Sequence, residues 1–123
     1  MFKTITKGLV IAALACVSTA ALAGGEWKDG VLFTQKKLAS LKGHDAYSIE
    51  FGLQPGKCTG EIVAVSEWLK MTDGTMVFAY PGKGENTRNK GDEWYQANGT
   101  KVVVCNKSKA NAILVGVQFR PEK

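Results

Sequence analysis

The sequence predicts an all-β protein: an antiparallel β-sandwich of about seven short strands, tied by one disulfide and preceded by a cleaved signal peptide. Three observations carry this. After Gly24 apolar residues alternate with a period of two, turn dipeptides interrupt them at short intervals, and no window shows an apolar stripe of helical period. The 123 residues allow one domain. A hydrophobic content of 45% with 22% charged residues is that of a globular protein and excludes a disordered chain.

The first segment carries Lys3 and Lys7, an uncharged run from Gly8 to Ala15, and Ala21-Leu22-Ala23 before Gly24. A basic start, an apolar run too short to span a bilayer and a small-x-small site describe a secretory signal peptide over residues 1–23, cleaved after Ala23. A buried or membrane helix is disfavoured because turn residues follow at once. Lipid modification at Cys16 is the weaker alternative, since Leu14 stands where a small residue is usual. Cleavage leaves a single domain over residues 24–123 and no membrane span, placing the protein in a periplasm or outside the cell. The formal charge of +5 loses Lys3 and Lys7 and becomes +3.

Val31 to Leu41 reads as a long strand interrupted by lysines, which suit a sheet edge. In the next strand Tyr47, Ile49, Phe51 and Leu53 alternate with Ala46, Ser48, Glu50 and Gly52, and Gln54-Pro55-Gly56-Lys57 turns the chain. Glu61 to Met71, apolar on both faces at Ile62 to Val65, reads as one strand in the middle of the sandwich. Asp73-Gly74 signals a hairpin into Met76–Tyr80, and Pro81-Gly82 ends that strand. Gly82 to Asp92 reads as a polar loop, and Glu93 to Ala97 as a short strand or turn. Asn98-Gly99 is a second hairpin signal before Lys101–Cys105. After a loop, Ala112 to Arg120 alternates through Ile113, Val115, Val117 and Phe119.

Of three cysteines, Cys16 leaves with the signal, and Cys58 and Cys105 remain as an even pair in an exported chain, which predicts a disulfide. It would close a loop of about 48 residues and stabilise the fold by roughly 4 kcal/mol in the chain-entropy model. A redox or metal site is disfavoured, because no C-x-x-C occurs and His44 is the only histidine. Trp68 between the two cysteines suggests an immunoglobulin-type sandwich, but Cys58 sits beside a turn and Val103 stands at the tyrosine-corner position.

Enzyme signatures are sparse. His44 lies in a turn, where its neighbour Asp45 points away from it. No G-x-S-x-G elbow, metal-ligand spacing or calcium loop occurs, and Pro81-Gly82-Lys83-Gly84 lacks the rest of a phosphate loop. Glycoside hydrolysis needs two carboxylates in one cleft. Glu50, Glu61 and Glu67 lie on strands, and Glu61 and Glu67 read as outward, solvating positions. The expectation is therefore no catalysis, no metal and no cofactor. Binding is favoured instead: consecutive Trp94 and Tyr95 face opposite ways on an extended segment, and with Trp27 they offer aromatic area to a protein or a sugar. A charge of +3 without a basic stripe argues against nucleic acid.

Gly43 to Lys57, with the form G-x-D-x-Y-x-I-x-F-x-x-x-x-G, resembles an element of pre-peptidase C-terminal domains and of the periplasmic inhibitors of invertebrate-type and goose-type lysozymes. Tyr80-Pro81-Gly82, Gly99–Val104 and Ile113–Val117 follow in matching order. The resemblance implies an exported, non-catalytic protein, such as an inhibitor of a hydrolase. In those inhibitors a Ser/Gly-rich loop does the blocking. Here Phe33–Leu38 has no such character, so no functional residue carries over. Asn98–Val102 with Asn111–Val117 is similar to the C-terminal part of B subunits of subtilase-type toxins. That resemblance implies the alternative, a glycan-binding pentamer with an oligosaccharide-binding fold.

Overall fold

The computed structural model describes residues 25–122; the expected signal segment, its cleavage site and Cys16 lie outside the described residues. The described chain is all β and contains no helix. Its ten strands are β1 (Trp27–Lys28), β2 (Val31–Leu41), β3 (His44–Leu53), β4 (Ile62–Val63), β5 (Ser66–Asp73), β6 (Thr75–Tyr80), β7 (Gly84–Asn89), β8 (Glu93–Gln96), β9 (Lys101–Cys105) and β10 (Ala112–Pro121). They build a six-stranded sheet in the order β1-β2-β3-β10-β5-β8 and a four-stranded sheet in the order β4-β9-β6-β7. Every pairing is antiparallel.

Three hairpins are local. β1 and β2 meet at Asp29-Gly30, with Lys28 opposite Val31. β2 and β3 meet at Lys42-Gly43 with Leu41 opposite His44. β6 and β7 meet at Pro81-Gly82-Lys83, where the Lys83 N–H donates to the Tyr80 carbonyl at 2.7 Å. After β3, every connection except the β6–β7 hairpin carries the chain from one sheet to the other.

This wiring corrects several expectations. The count is ten strands against about seven. Asp73-Gly74 makes no hairpin: β5 and β6 belong to different sheets, and the pair forms the corner between them. Gly74 takes φ 66°, and a Cβ there would stand 2.4 Å from the Asn111 carbonyl oxygen, so the corner needs glycine twice over. Asn98-Gly99 is likewise a crossing between sheets. Glu61–Met71 is split into β4 and β5, joined by Ala64-Val65. The expected polar loop contains β7, an edge strand paired with β6 along Gly84–Asn89; water on its open side removes the need for an apolar pattern.

The core lies between the sheets. Ile49, Leu53, Leu69, Met71, Ala112 and Leu114 from the larger sheet pack against Met76, Phe78, Val102 and Val104 from the smaller. Each of these side chains except Ala112 contributes roughly 1.5–3 kcal/mol of transfer free energy when fully buried. In β3 the inward phase is the expected one, with Ile49 and Leu53 buried. In β10 it is the reverse: Ala112, Leu114 and Gln118 are buried, while Ile113, Val115, Val117 and Phe119 lie on the outer face.

Cys58 and Cys105 are bonded, with S–S 2.05 Å, tying the segment after β3 to the end of β9. Backbone hydrogen bonds flank the bond on both sides, Thr59 N–H to Val104 O and Asn106 N–H to Lys57 O, each 2.8 Å. Asn106 is buried, and its Nδ2 donates to the carbonyls of Leu53 at 2.9 Å and Ala110 at 2.7 Å. Among the described residues no helix is long and apolar enough to cross a membrane.

Candidate functional site

The three aromatic residues proposed as a binding surface occupy separate places. Trp94 points inward from β8 and is buried, edge-on to Phe78 with ring centroids 5.0 Å apart. The Arg88 guanidinium stacks over its ring at 4.4 Å, a cation–π contact that holds the indole in the core. Tyr95, next in the strand, lies on the outer face and is 61% exposed. Trp27 covers Gly52 from β1, at the other end of the sheet's strand order from β8. His44 is exposed at the tip of the β2–β3 hairpin.

The polar residues that do converge are others. In antiparallel pairs, directly opposite residues share a face. The register therefore places Lys37, Tyr47, Gln118, Glu67 and Gln96 in one row across β2, β3, β10, β5 and β8, on the inner face of the larger sheet. Glu67, Gln96 and Gln118 are buried. Gln96 Nε2 donates to Glu67 Oε2 at 2.9 Å, and Gln118 Nε2 donates to Glu67 Oε1 at 3.0 Å. The Tyr80 hydroxyl, from the smaller sheet, donates to Gln96 Oε1 at 3.0 Å. Gln118 Oε1 accepts from Gln35 Nε2 at 3.0 Å and from Arg120 Nε and Nη2 at 3.2 Å each.

The chain of bonds has a direction. Glu67 as a carboxylate only accepts and Arg120 only donates, so Gln118 between them can point one way only. Gln96 is less constrained, because the Tyr80 hydroxyl can donate or accept.

Glu67, Gln96 and Gln118 of this row floor a cavity of about 370 Å³ whose walls include Phe33, Phe51, Phe78, Leu114 and the crossing segment Ile62–Val65. The volume is at the small end of the range for ligand pockets. Ile62 to Val65 is apolar because it walls this cavity, which corrects its assignment to a central strand. Three large apolar residues on the rim stand exposed: Phe33 at 51%, Ile62 at 43% and Val63 at 62%. A second, polar cavity of about 460 Å³ adjoins it, lined by Lys37, Asp45, Tyr47 and Arg120 among others; Arg120 lines both.

The donor set in the first cavity does not suit a metal ion. It offers one carboxylate whose oxygens already accept from amides, two amides and a guanidinium. Among the described residues no three His, Cys, Asp or Glu side chains come together as ligands. Glu67 has two of about four acceptor positions taken, and the others remain for a bound molecule.

Sequence reasoning placed Glu67 outward and passed over Gln96, Gln118, Tyr80 and Arg120. The signal was their phase. Glu67 stands two residues before Leu69, Gln96 two after Trp94 and Gln118 four after Leu114, each in step with a buried apolar neighbour.

Neither a protein-family model nor a curated protein sequence matches the chain. Solved structures do match in fold. A cupin domain from Bordetella pertussis Tohama I aligns at TM-score 0.60 with 18% identity, over 78% of this chain and 99% of that one. An oxalate decarboxylase variant from B. subtilis aligns at TM-score 0.63 with 19% identity, over 79% of this chain and 27% of that one. A polyketide cyclase from Streptomyces resistomycificus aligns at TM-score 0.59 with 14% identity, over 81% and 74%. These likenesses overturn the expected kinship with pre-peptidase C-terminal and lysozyme-inhibitor domains. The β-strand pattern behind it is common to many antiparallel folds. The inhibitor role, its toxin-subunit alternative and the exclusion of catalysis fall with it, since the structural neighbours include enzymes. The chain has a fold similar to the cupin barrel.

Proposed function

We propose that the chain takes a small organic molecule into the cavity between its sheets and acts on it by proton transfer, with Glu67 as the general base. One observation carries this: Glu67 is a buried carboxylate in an apolar-walled cavity, oriented by two amide donors that leave acceptor positions toward the ligand. Gln96 and Gln118 hold the carboxylate in place; Tyr80 and Arg120 hold the amides. A ligand seated against Phe33, Phe51 and Val63 displaces water from the cavity and so strengthens the electrostatics at the carboxylate. The occurrence of a polyketide cyclase and an oxalate decarboxylase among proteins of this fold supports small-molecule chemistry by analogy only. We further infer an oxidising compartment, periplasmic or extracellular, from the Cys58–Cys105 bond together with the signal-like first 23 residues.

A generic carbon acid tests the base. In 5-nitrobenzisoxazole a base removes the ring C–H proton; the electron pair forms a nitrile, the N–O bond breaks, and a coloured phenolate is released. Wild-type protein should accelerate the reaction well above buffer, and Glu67→Gln should abolish the acceleration. Acceleration that survives Glu67→Gln, or none in the wild type, would overturn the proposal.

A further inference from the structure

The structure assigns the two adjoining cavities to one bipartite site for an amphipathic organic anion, with its apolar body against Phe33 and Phe51 and its acidic group on Arg120. The inference rests on the proposed ligand cavity and names the class of molecule it takes. Three observations converge.

The walls of the first cavity are apolar up to its rim, and Phe33, Ile62 and Val63 remain exposed there. Exposed large apolar side chains gathered at a concave mouth mark a place where an apolar body is covered. The adjoining cavity has the opposite character, with Lys37, Asp45, Tyr47, Ser40 and Glu122 in its lining, Glu122 standing outside ion-pair distance of Arg120. A ligand reaching across both must be apolar at one end and polar at the other.

Arg120 stands at the join and decides the sign of the polar end. Its Nε and Nη2 share a single acceptor, Gln118 Oε1. Among the described residues it has no carboxylate within ion-pair distance, whereas Lys37, the other cation of the polar cavity, is paired with Asp45 at 3.5 Å. A guanidinium has five N–H donors in a planar fork matched to a carboxylate, and most of those on Arg120 are unused. The bond to Gln118 positions the fork at the boundary of the two cavities.

Cinnamate, cinnamamide and acetate separate the contributions: the first has both body and charge, the second the body alone, the third the charge alone. Binding is followed by titration calorimetry, and by NMR shifts of the Gln96 and Gln118 side-chain amides that line the cavity. Cinnamate should bind at least tenfold tighter than either of the other two. Arg120→Gln should remove the preference, so that cinnamate and cinnamamide bind that variant equally, with Arg120→Lys restoring part of the preference. Phe33→Ala, at a half-exposed position, should weaken both aromatic compounds alike. Thermal melts confirm that each variant is folded. Equal binding of cinnamate and cinnamamide, or a preference that survives Arg120→Gln, would overturn the bipartite site and leave the ligand cavity standing. Failure of either aromatic compound to shift the cavity amides would overturn both.

Discussion

Replacing Glu67 by alanine and by glutamine should separate two roles that one substitution would confuse. In the folded protein Glu67 is the acceptor for Gln96 Nε2 at 2.9 Å and Gln118 Nε2 at 3.0 Å. Alanine leaves both buried amides without it. An unsatisfied buried donor costs about 1–3 kcal/mol, and because water can enter the cavity beside this row the lower half of the range applies. The expected loss is about 3 kcal/mol in total, which in a domain of this size lowers Tm by roughly 12–24 °C.

Glutamine behaves differently, for a reason found at the two ends of the network. Gln118 cannot turn over, since its oxygen faces Arg120, which has only donors. The new side chain must therefore present its oxygen to Gln118 and its NH2 to Gln96. Gln96 can turn, because the Tyr80 hydroxyl can accept where it formerly donated. Every hydrogen bond is then remade, and relief from burying a charge offsets the loss of charge assistance. Glu67→Gln should stay within about 1 kcal/mol of the wild type while losing proton transfer. Urea unfolding followed by circular dichroism measures both variants. Coincident stabilities for the alanine and glutamine variants would refute the network as drawn.

Three further outcomes follow from other parts of the fold. Reducing the Cys58–Cys105 bond, which closes a separation of 47 residues, should cost about 4 kcal/mol in urea; a loss under about 1 kcal/mol would show that the unfolded chain is not constrained by it. Gly116→Ala should destabilise by about 1–3 kcal/mol in the same assay, because the added Cβ would lie 2.5 Å from the Trp68 carbonyl oxygen and 2.6 Å from Leu69 Cδ2, and the β5–β10 pair must open to admit it. Burial on the outer face of β3 raises the Glu50 carboxyl above its ordinary 4.5. The folded state then holds this proton more tightly than the unfolded state, so Glu50 disfavours folding as pH rises from 4.5 through its folded value. Glu50→Gln should raise Tm at pH 7 and have little effect at pH 4; a gain at both would assign the effect to packing.

How much of this was legible depended on whether one face of a strand carries polar residues. β3 has Ser48 and Glu50 on its outer face, and the run Tyr47, Ile49, Phe51, Leu53 predicted its inward phase correctly. β10 lies between β3 and β5, and both of its faces carry apolar residues. Its larger outward set, Ile113, Val115, Val117 and Phe119, outweighs the inward Ala112, Leu114 and Gly116. Gly116 is small because Leu69 fills the space in front of it, a long-range fact that a local pattern does not contain. β7 escaped for the opposite reason: Gly-Glu-Asn-Thr-Arg-Asn is polar throughout, and only pairing with β6 makes it a strand. The disulfide was legible from count and context. The candidate site was not, because a glutamate on a strand is by default a solvated position, and what marks Glu67 is its phase against Leu69 and Met71.

The position of the site follows from a mismatch in strand length. β2, β3 and β10 run for 11, 10 and 10 residues, while β6, β7 and β9 opposite them run for 6, 6 and 5. At about 3.3 Å per residue the larger sheet outreaches the smaller by roughly 15 Å. Where the sheets face each other the inward row is Ile49, Gly116, Leu69 and Trp94, all apolar. The next row outward is Tyr47, Gln118, Glu67 and Gln96, and beyond it stand Asp45 and Arg120. Inward positions turn polar just where the opposing sheet gives out, because side chains there have no apolar partner and must be satisfied by one another or by a ligand. A merely solvated overhang would not need Phe33, Ile62 and Val63 exposed beside it. The junction of an apolar wall with an ordered polar row makes this end of the fold a site.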